Sequence, residues 1–129
     1  MKQAIVCLTF GTLLFSACHS DAVRQTENGI IVPITSGETK AVKLEVITDD
    51  VIRVMASPTG IFEESVNLIK DTHQLPVPAF EITRNGDTIT LGTATLQARL
   101  LQRTGEVWFT DKAGNLILRE QNGGGKEFT

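Results

Sequence analysis

The sequence predicts an all-β fold, an antiparallel sandwich of eight or nine short strands. Three observations carry the prediction. Beyond residue 28, apolar side chains recur at every second position over short runs, as half-buried strands require. Outside the N-terminal stretch, no segment holds a 3.6-residue period. Gly, Asn, Asp and Pro punctuate the chain at close intervals, where turns must lie. A length of 129 residues allows one domain at most, and 41% hydrophobic residues suffice for a core. The net charge of -3 and a pI of about 5.3 supply no basic field for nucleic acid or an anionic membrane face.

The chain opens with Lys2 and an apolar run over residues 4–15, then Ser16-Ala17 before Cys18. This reads as an export signal too short to remain as a spanning helix. Small residues directly before a cysteine resemble the lipobox of bacterial lipoproteins, although Phe15 stands where that motif usually has Leu. The resemblance implies a signal over residues 1–18, with Cys18 as the lipidated N-terminus of an exported protein. Its location would be the periplasm or outer membrane, held by the lipid. An ordinary signal peptide cut nearby is the other reading. Residues 19–28 are polar and aperiodic, a tether, and residues 29–129 form the domain. With Cys7 and Cys18 accounted for, that domain contains no cysteine, so packing alone must hold it.

A first strand runs through Gly29-Ile30-Ile31-Val32-Pro33-Ile34, and Pro33 places it at an edge. Residues 41–58 form the clearest unit. Val42, Leu44 and Val46 alternate with Lys43, Glu45 and Ile47, Thr48-Asp49-Asp50 turns, and Ile52, Val54 and Ala56 alternate with Val51, Arg53 and Met55 on the return before Pro58. A short strand is expected around Val66-Asn67-Leu68-Ile69, and Pro76 and Pro78 mark a surface connection. Residues 80–83 and 88–91 pair through Arg84-Asn85-Gly86-Asp87, with Asn-Gly as the turn signal. Strands follow around Leu96 to Leu100, Val107 to Phe109 and Leu116 to Leu118, separated by Arg103-Thr104-Gly105 and by residues 111–115. Nothing after them caps the sheet, so the sandwich is expected to be incomplete at its C-terminal edge.

Chemistry is sparse. Asp49-Asp50 and Glu63-Glu64 are adjacent acids, but glycoside hydrolysis needs two carboxyls about 5–9.5 Å apart across a sugar. Sequence neighbours on a turn are solvated and point apart. Gly123-Gly124-Gly125-Lys126 lacks the first Gly and the Ser or Thr of a phosphate loop, since Glu120 and Glu127 hold those positions; it reads as a flexible turn. His73 has no cluster around it for a metal site or a triad. No catalytic, cofactor or metal residue is expected. Trp108, if Val107 and Phe109 face the core, faces out with Glu106 and Thr110. There it can pack against another domain or stack on a sugar, and without aromatic companions the first is favoured.

Taken in order, residues 42–58 (VKLEVITDDVIRVMASP), residues 90–120 (TLGTATLQARLLQRTGEVWFTDKAGNLILRE) and residues 123–128 (GGGKEF) resemble the N-terminal domain of glycoside hydrolase family 31. The flavour is that of α-xylosidases and α-glucosidases exported by Bacteroidetes. The carrying residues are Ile52-Arg53-Val54 with Ser57-Pro58, Thr93-Ala94-Thr95-Leu96, Thr104-Gly105, Phe109-Thr110-Asp111 with Gly114, and Glu120. The resemblance implies a galactose-mutarotase-like sandwich, followed in the same polypeptide by a (β/α)8 barrel that hydrolyses α-linked oligosaccharides with two aspartates. The barrel's nucleophile motif, an Asp-Met pair, does not occur here, so no catalytic role carries over. The expectation is a non-catalytic segment that braces the barrel and the edge of its cleft. The alternatives are a free-standing envelope lipoprotein binding glycan or protein through a sheet face, or an adhesin-like subunit completed by a donated strand.

Overall fold

Alternation of apolar and polar residues resolves into nine strands in the computed structural model, which describes residues 22–63, 76–124 and 126–129. They are β1 (Arg24–Thr26), β2 (Gly29–Pro33), β3 (Ala41–Thr48), β4 (Val51–Ser57), β5 (Glu81–Asn85), β6 (Thr88–Gly92), β7 (Leu96–Leu101), β8 (Val107–Asp111) and β9 (Leu116–Arg119). β1 to β4 form one antiparallel meander and β5 to β9 a second. Ile30, Val32, Val42, Leu44 and Val46 from the first sheet share one core with Ile89, Leu91, Ala98, Leu100 and Val107 from the second. The protein is an all-β sandwich. The strand expected around residues 66–69, together with Cys18, Glu64 and His73, lies outside the described residues.

The β3–β4 hairpin follows the expected alternation. Leu44 faces Val54 and Val46 faces Ile52, with an irregularity between Val46 and Thr48 leading into the Asp49-Asp50 turn. Three details differ from the sequence reading. Residues 19–28 were expected to be tether throughout, yet Arg24, Gln25 and Thr26 pair with Ile31, Ile30 and Gly29. The first strand is therefore flanked by β1. Pro33 is tolerated because β1 ends its pairing at Ile31, which leaves Pro33 bonded only on the β3 side. In the β5–β6 hairpin Asn85 is the last strand residue, paired with Thr88. The turn pair is Gly86-Asp87, and only Gly86 has positive φ, at 59°, the pattern of a type II′ turn.

Polar clasps join the sheets at both ends. At one, Ser36 N–H donates to Arg103 O at 2.9 Å and Gln102 Nε2 to Pro33 O at 3.1 Å. At the other, Thr93 Oγ1 donates to Asp49 O at 2.5 Å, and Thr95 Oγ1 to Asp50 Oδ1 at 2.6 Å. The adjacent acids of this turn thus pin one sheet to the other, as turn-forming residues rather than a catalytic pair. Such bonds fix the relative placement of two sheets that hydrophobic packing alone would leave free to slide.

Candidate functional site

The five-stranded sheet turns Ile89, Leu91, Ala98, Leu100 and Val107 inward, so the intervening residues form its outer face. Across that face run Thr90, Arg99, Trp108 and Arg119, each directly opposite the next on neighbouring strands. Trp108 is half-buried, and the Arg119 guanidinium sits 4.9 Å from the centroid of its ring. A cation at that distance over an indole is held by the ring's negative face. The guanidinium also covers the surface on which a sugar would stack. Arg119 Nε donates to Glu106 Oε1 at 2.7 Å, so one guanidinium links the indole to a carboxylate.

Glu106 and Thr110 share Trp108's face, as the alternation predicts, but they are not open to solvent: each is 4% exposed. The reason for Glu106 lies further along the chain. After β9 the backbone folds back, Gly123 N–H donates to Glu106 Oε2 at 3.3 Å, and Glu120 accepts from Val107 N–H at 2.9 Å. Lys126 Nζ then ties Glu120 Oε2 at 2.5 Å to Gly105 O at 2.7 Å. Of the glycines expected as a flexible turn, Gly123 and Gly124 are part of this return: Gly124 is buried, with φ of 95°, and its N–H donates to Gln121 O at 3.0 Å.

Arg99, which sequence reasoning did not single out, is the other functional group of the face. Its Nη2 donates to Gln97 Oε1 at 3.1 Å, an oxygen that also accepts from Thr110 Oγ1 at 3.3 Å. Its Nε–H is buried and has no acceptor among the described residues. No signal in the sequence distinguishes Arg99 from any other outward arginine. Its state depends on which residues the neighbouring strands set beside it.

Elsewhere the chemistry is structural. Glu45, 6% exposed on the outer face of the first sheet, accepts from Asn28 Nδ2 at 2.7 Å and lies 3.5 Å from Arg53 and 3.8 Å from Lys43. Glu63 is exposed in a loop. A polar cleft of about 120 Å³ is lined by Ser36, Glu38, Thr39, Thr104 and Lys126, well below the roughly 300 Å³ at which ligand pockets begin. Among the described residues no group of three or more His, Cys, Asp or Glu side chains could hold a metal, and no helix is long and apolar enough to cross a membrane.

No family model matches the chain. Among solved structures, the GH31 alpha-xylosidase from Xanthomonas citri superimposes with a TM-score of 0.69 and 33% sequence identity over 78% of this chain. The sandwich is a GH31-like domain. The aligned region is 11% of that enzyme's length, so the comparison concerns one small part of a much larger protein.

Proposed function

We propose that this chain is the non-catalytic N-terminal β-sandwich of an exported α-glycosidase of the α-xylosidase or α-glucosidase type. It braces a catalytic barrel in the same polypeptide and supports the edge of the cleft that takes α-linked oligosaccharides. One observation carries the reading: over 78% of this chain, a third of the aligned residues are identical to a segment of a GH31 alpha-xylosidase that adopts the same fold. The site chemistry is compatible with it. A bracing module needs packing surfaces rather than acid and base groups, and the adjacent acids Asp49 and Asp50 are engaged in the inter-sheet clasp. We assign Cys18 as the lipid-bearing residue that anchors the exported protein, in the periplasm or at the outer membrane.

Chromogenic α-xyloside and α-glucoside assays test the first part. The chain alone releases no product, and the same chain fused to a GH31 barrel supports turnover. Product release by the chain alone, or a barrel indifferent to its presence, overturns the reading. Labelled palmitate incorporation that disappears in Cys18→Ser tests the anchor; labelling retained in that variant refutes it.

A free-standing glycan-binding lipoprotein fits less well, because the single indole already has Arg119 against its ring. Calorimetry with xylo-oligosaccharides and α-glucans separates the two readings, with heat of binding by the chain alone favouring the lipoprotein.

A further inference from the structure

The sequence holds three Asn-Gly pairs: Asn28-Gly29, Asn85-Gly86 and Asn122-Gly123. With no Cβ on the second residue, its backbone nitrogen can reach the asparagine side-chain amide and close a five-membered ring. By sequence the three pairs are equivalent, and the fold separates them.

Asn28 is pinned. Its Nδ2 donates to Glu45 Oε1 at 2.7 Å, its carbonyl accepts from Val46 N–H at 2.7 Å, and Gly29 lies so close to β3 that a Cβ would overlap Leu44 O. Asn85 forms the closing rung of the β5–β6 hairpin opposite Thr88, and Gly86 O accepts from Arg84 Nε at 3.0 Å. Ring closure at either asparagine requires its backbone to rotate out of these bonds. Asn122 is exposed and lies beyond the last strand. It is the first central residue of a turn closed by Gly124 N–H donating to Gln121 O at 3.0 Å, with Gly123 at φ of 89°, the pattern of a type II turn. The nitrogen that would attack is already oriented: Gly123 N–H donates to Glu106 Oε2 at 3.3 Å. A carboxylate on that proton can accept it as the nitrogen bonds to carbon, which is the work of a general base.

We propose that Asn122 is a self-modification site, where Glu106 assists conversion of the asparagine to aspartate and isoaspartate. Gly123 N bonds to Asn122 Cγ while its proton passes to Glu106 Oε2 and on to the departing amide. The Cγ–Nδ2 bond breaks and ammonia leaves. Water then adds across one C–N bond of the resulting succinimide. Opening at one carbonyl gives Asp in the original backbone, and opening at the other gives isoaspartate, with the chain running through the side chain. Either product places a carboxylate one residue from the bond between Gly123 and the buried Glu106, and like charges there loosen the return of the chain after β9.

The test incubates the purified chain at neutral pH, folded and in urea, and follows each pair by peptide mapping with mass spectrometry that separates isoaspartate from Asp. In urea the three pairs should convert at similar rates. In the folded chain Asn122 should convert about tenfold faster than Asn85, less than a positioned base usually contributes because the contact is long, and Asn28 should not convert. Glu106→Gln, checked for folding by its thermal midpoint, should slow Asn122 to the pace of Asn85. Asn122→Asp should speed amide exchange at Gly124, the sign of a loosened return. Conversion of Asn85 as fast as that of Asn122 in the folded parent overturns the proposal without recourse to any variant. So does an undiminished Asn122 rate in folded Glu106→Gln, or Gly124 exchange unchanged in Asn122→Asp. The inference is independent of the bracing role, and the turnover assay does not bear on it.

Discussion

Leu44 and Leu118 are the same side chain in the same kind of strand, yet Leu44 is fully buried and Leu118 is 63% exposed. Leu44 sits in β3, flanked by β2 and β4 and faced by the second sheet. Leu118 sits in β9, flanked among the described residues only by β8. The contrast shows that a residue's contribution here follows from its strand's rank in the sheet, and composition alone does not reveal it. Even a charge obeys the same logic: Glu45, in the middle of the first sheet, is 6% exposed because Asn28, Lys43 and Arg53 gather round it.

Substitutions at the two leucines give the widest separation. Leu44→Ala removes fully buried methyl groups and leaves a cavity, and should cost about 3 kcal/mol in urea denaturation. Leu118→Ala should change stability by less than about 0.5 kcal/mol in the isolated chain. Equal losses at both sites would mean that β9 is covered in solution. Gly29→Ala probes the centre from the backbone side. A Cβ there would overlap the Leu44 carbonyl oxygen, so a loss of about 2–3 kcal/mol is expected, read by the thermal midpoint. A midpoint unchanged from the parent would show that β2 and β3 can move apart at little cost.

Smaller effects sharpen the comparison at the ends of the sheets. Thr93→Val deletes the hydroxyl that bridges to Asp49 O and should cost about 1 kcal/mol by chemical denaturation. Thr95→Val at the same clasp should cost less, since its hydroxyl is exposed. The smallest effect lies in the β8–β9 turn. The Asn115 side-chain amide, followed by the Asn115 N–H, holds the Asp111 carboxyl below its ordinary pKa. A carboxyl whose pKa is lower in the folded state stabilises the fold above the ordinary value, and that contribution fades as pH falls through the depressed one. An NMR titration should therefore place the Asp111 midpoint below the usual aspartate range, and Asn115→Ala should raise it. A midpoint that does not move in the variant would refute the assigned cause.

Most of the fold was legible because its signals are local. Residues 41–58 alternate cleanly around Asp49-Asp50, and Asn85-Gly86 marks a hairpin whose turn pair proved to be one residue further on. β1 was not legible. Arg24, Gln25 and Thr26 have no apolar alternation and become a strand only because β2 offers them a ladder. At the outer face, the position of Trp108 could be read from Val107 and Phe109. The stacking of Arg119, the burial of Glu106 and the orphaned donor of Arg99 could not. Each depends on residues brought alongside by pairing or by the return of the chain after β9.

By itself the sequence determined that this chain is all-β, where most of its strands lie and which acids serve its turns. These follow from side-chain alternation and from the φ that turn residues allow, both properties of a few consecutive residues. Tertiary structure alone decided which strands are interior, which polar groups are buried, and that the apolar residues of β9 are left exposed. Burial and pairing are set by what lies across the sheet, and the residues across the sheet come from elsewhere in the chain.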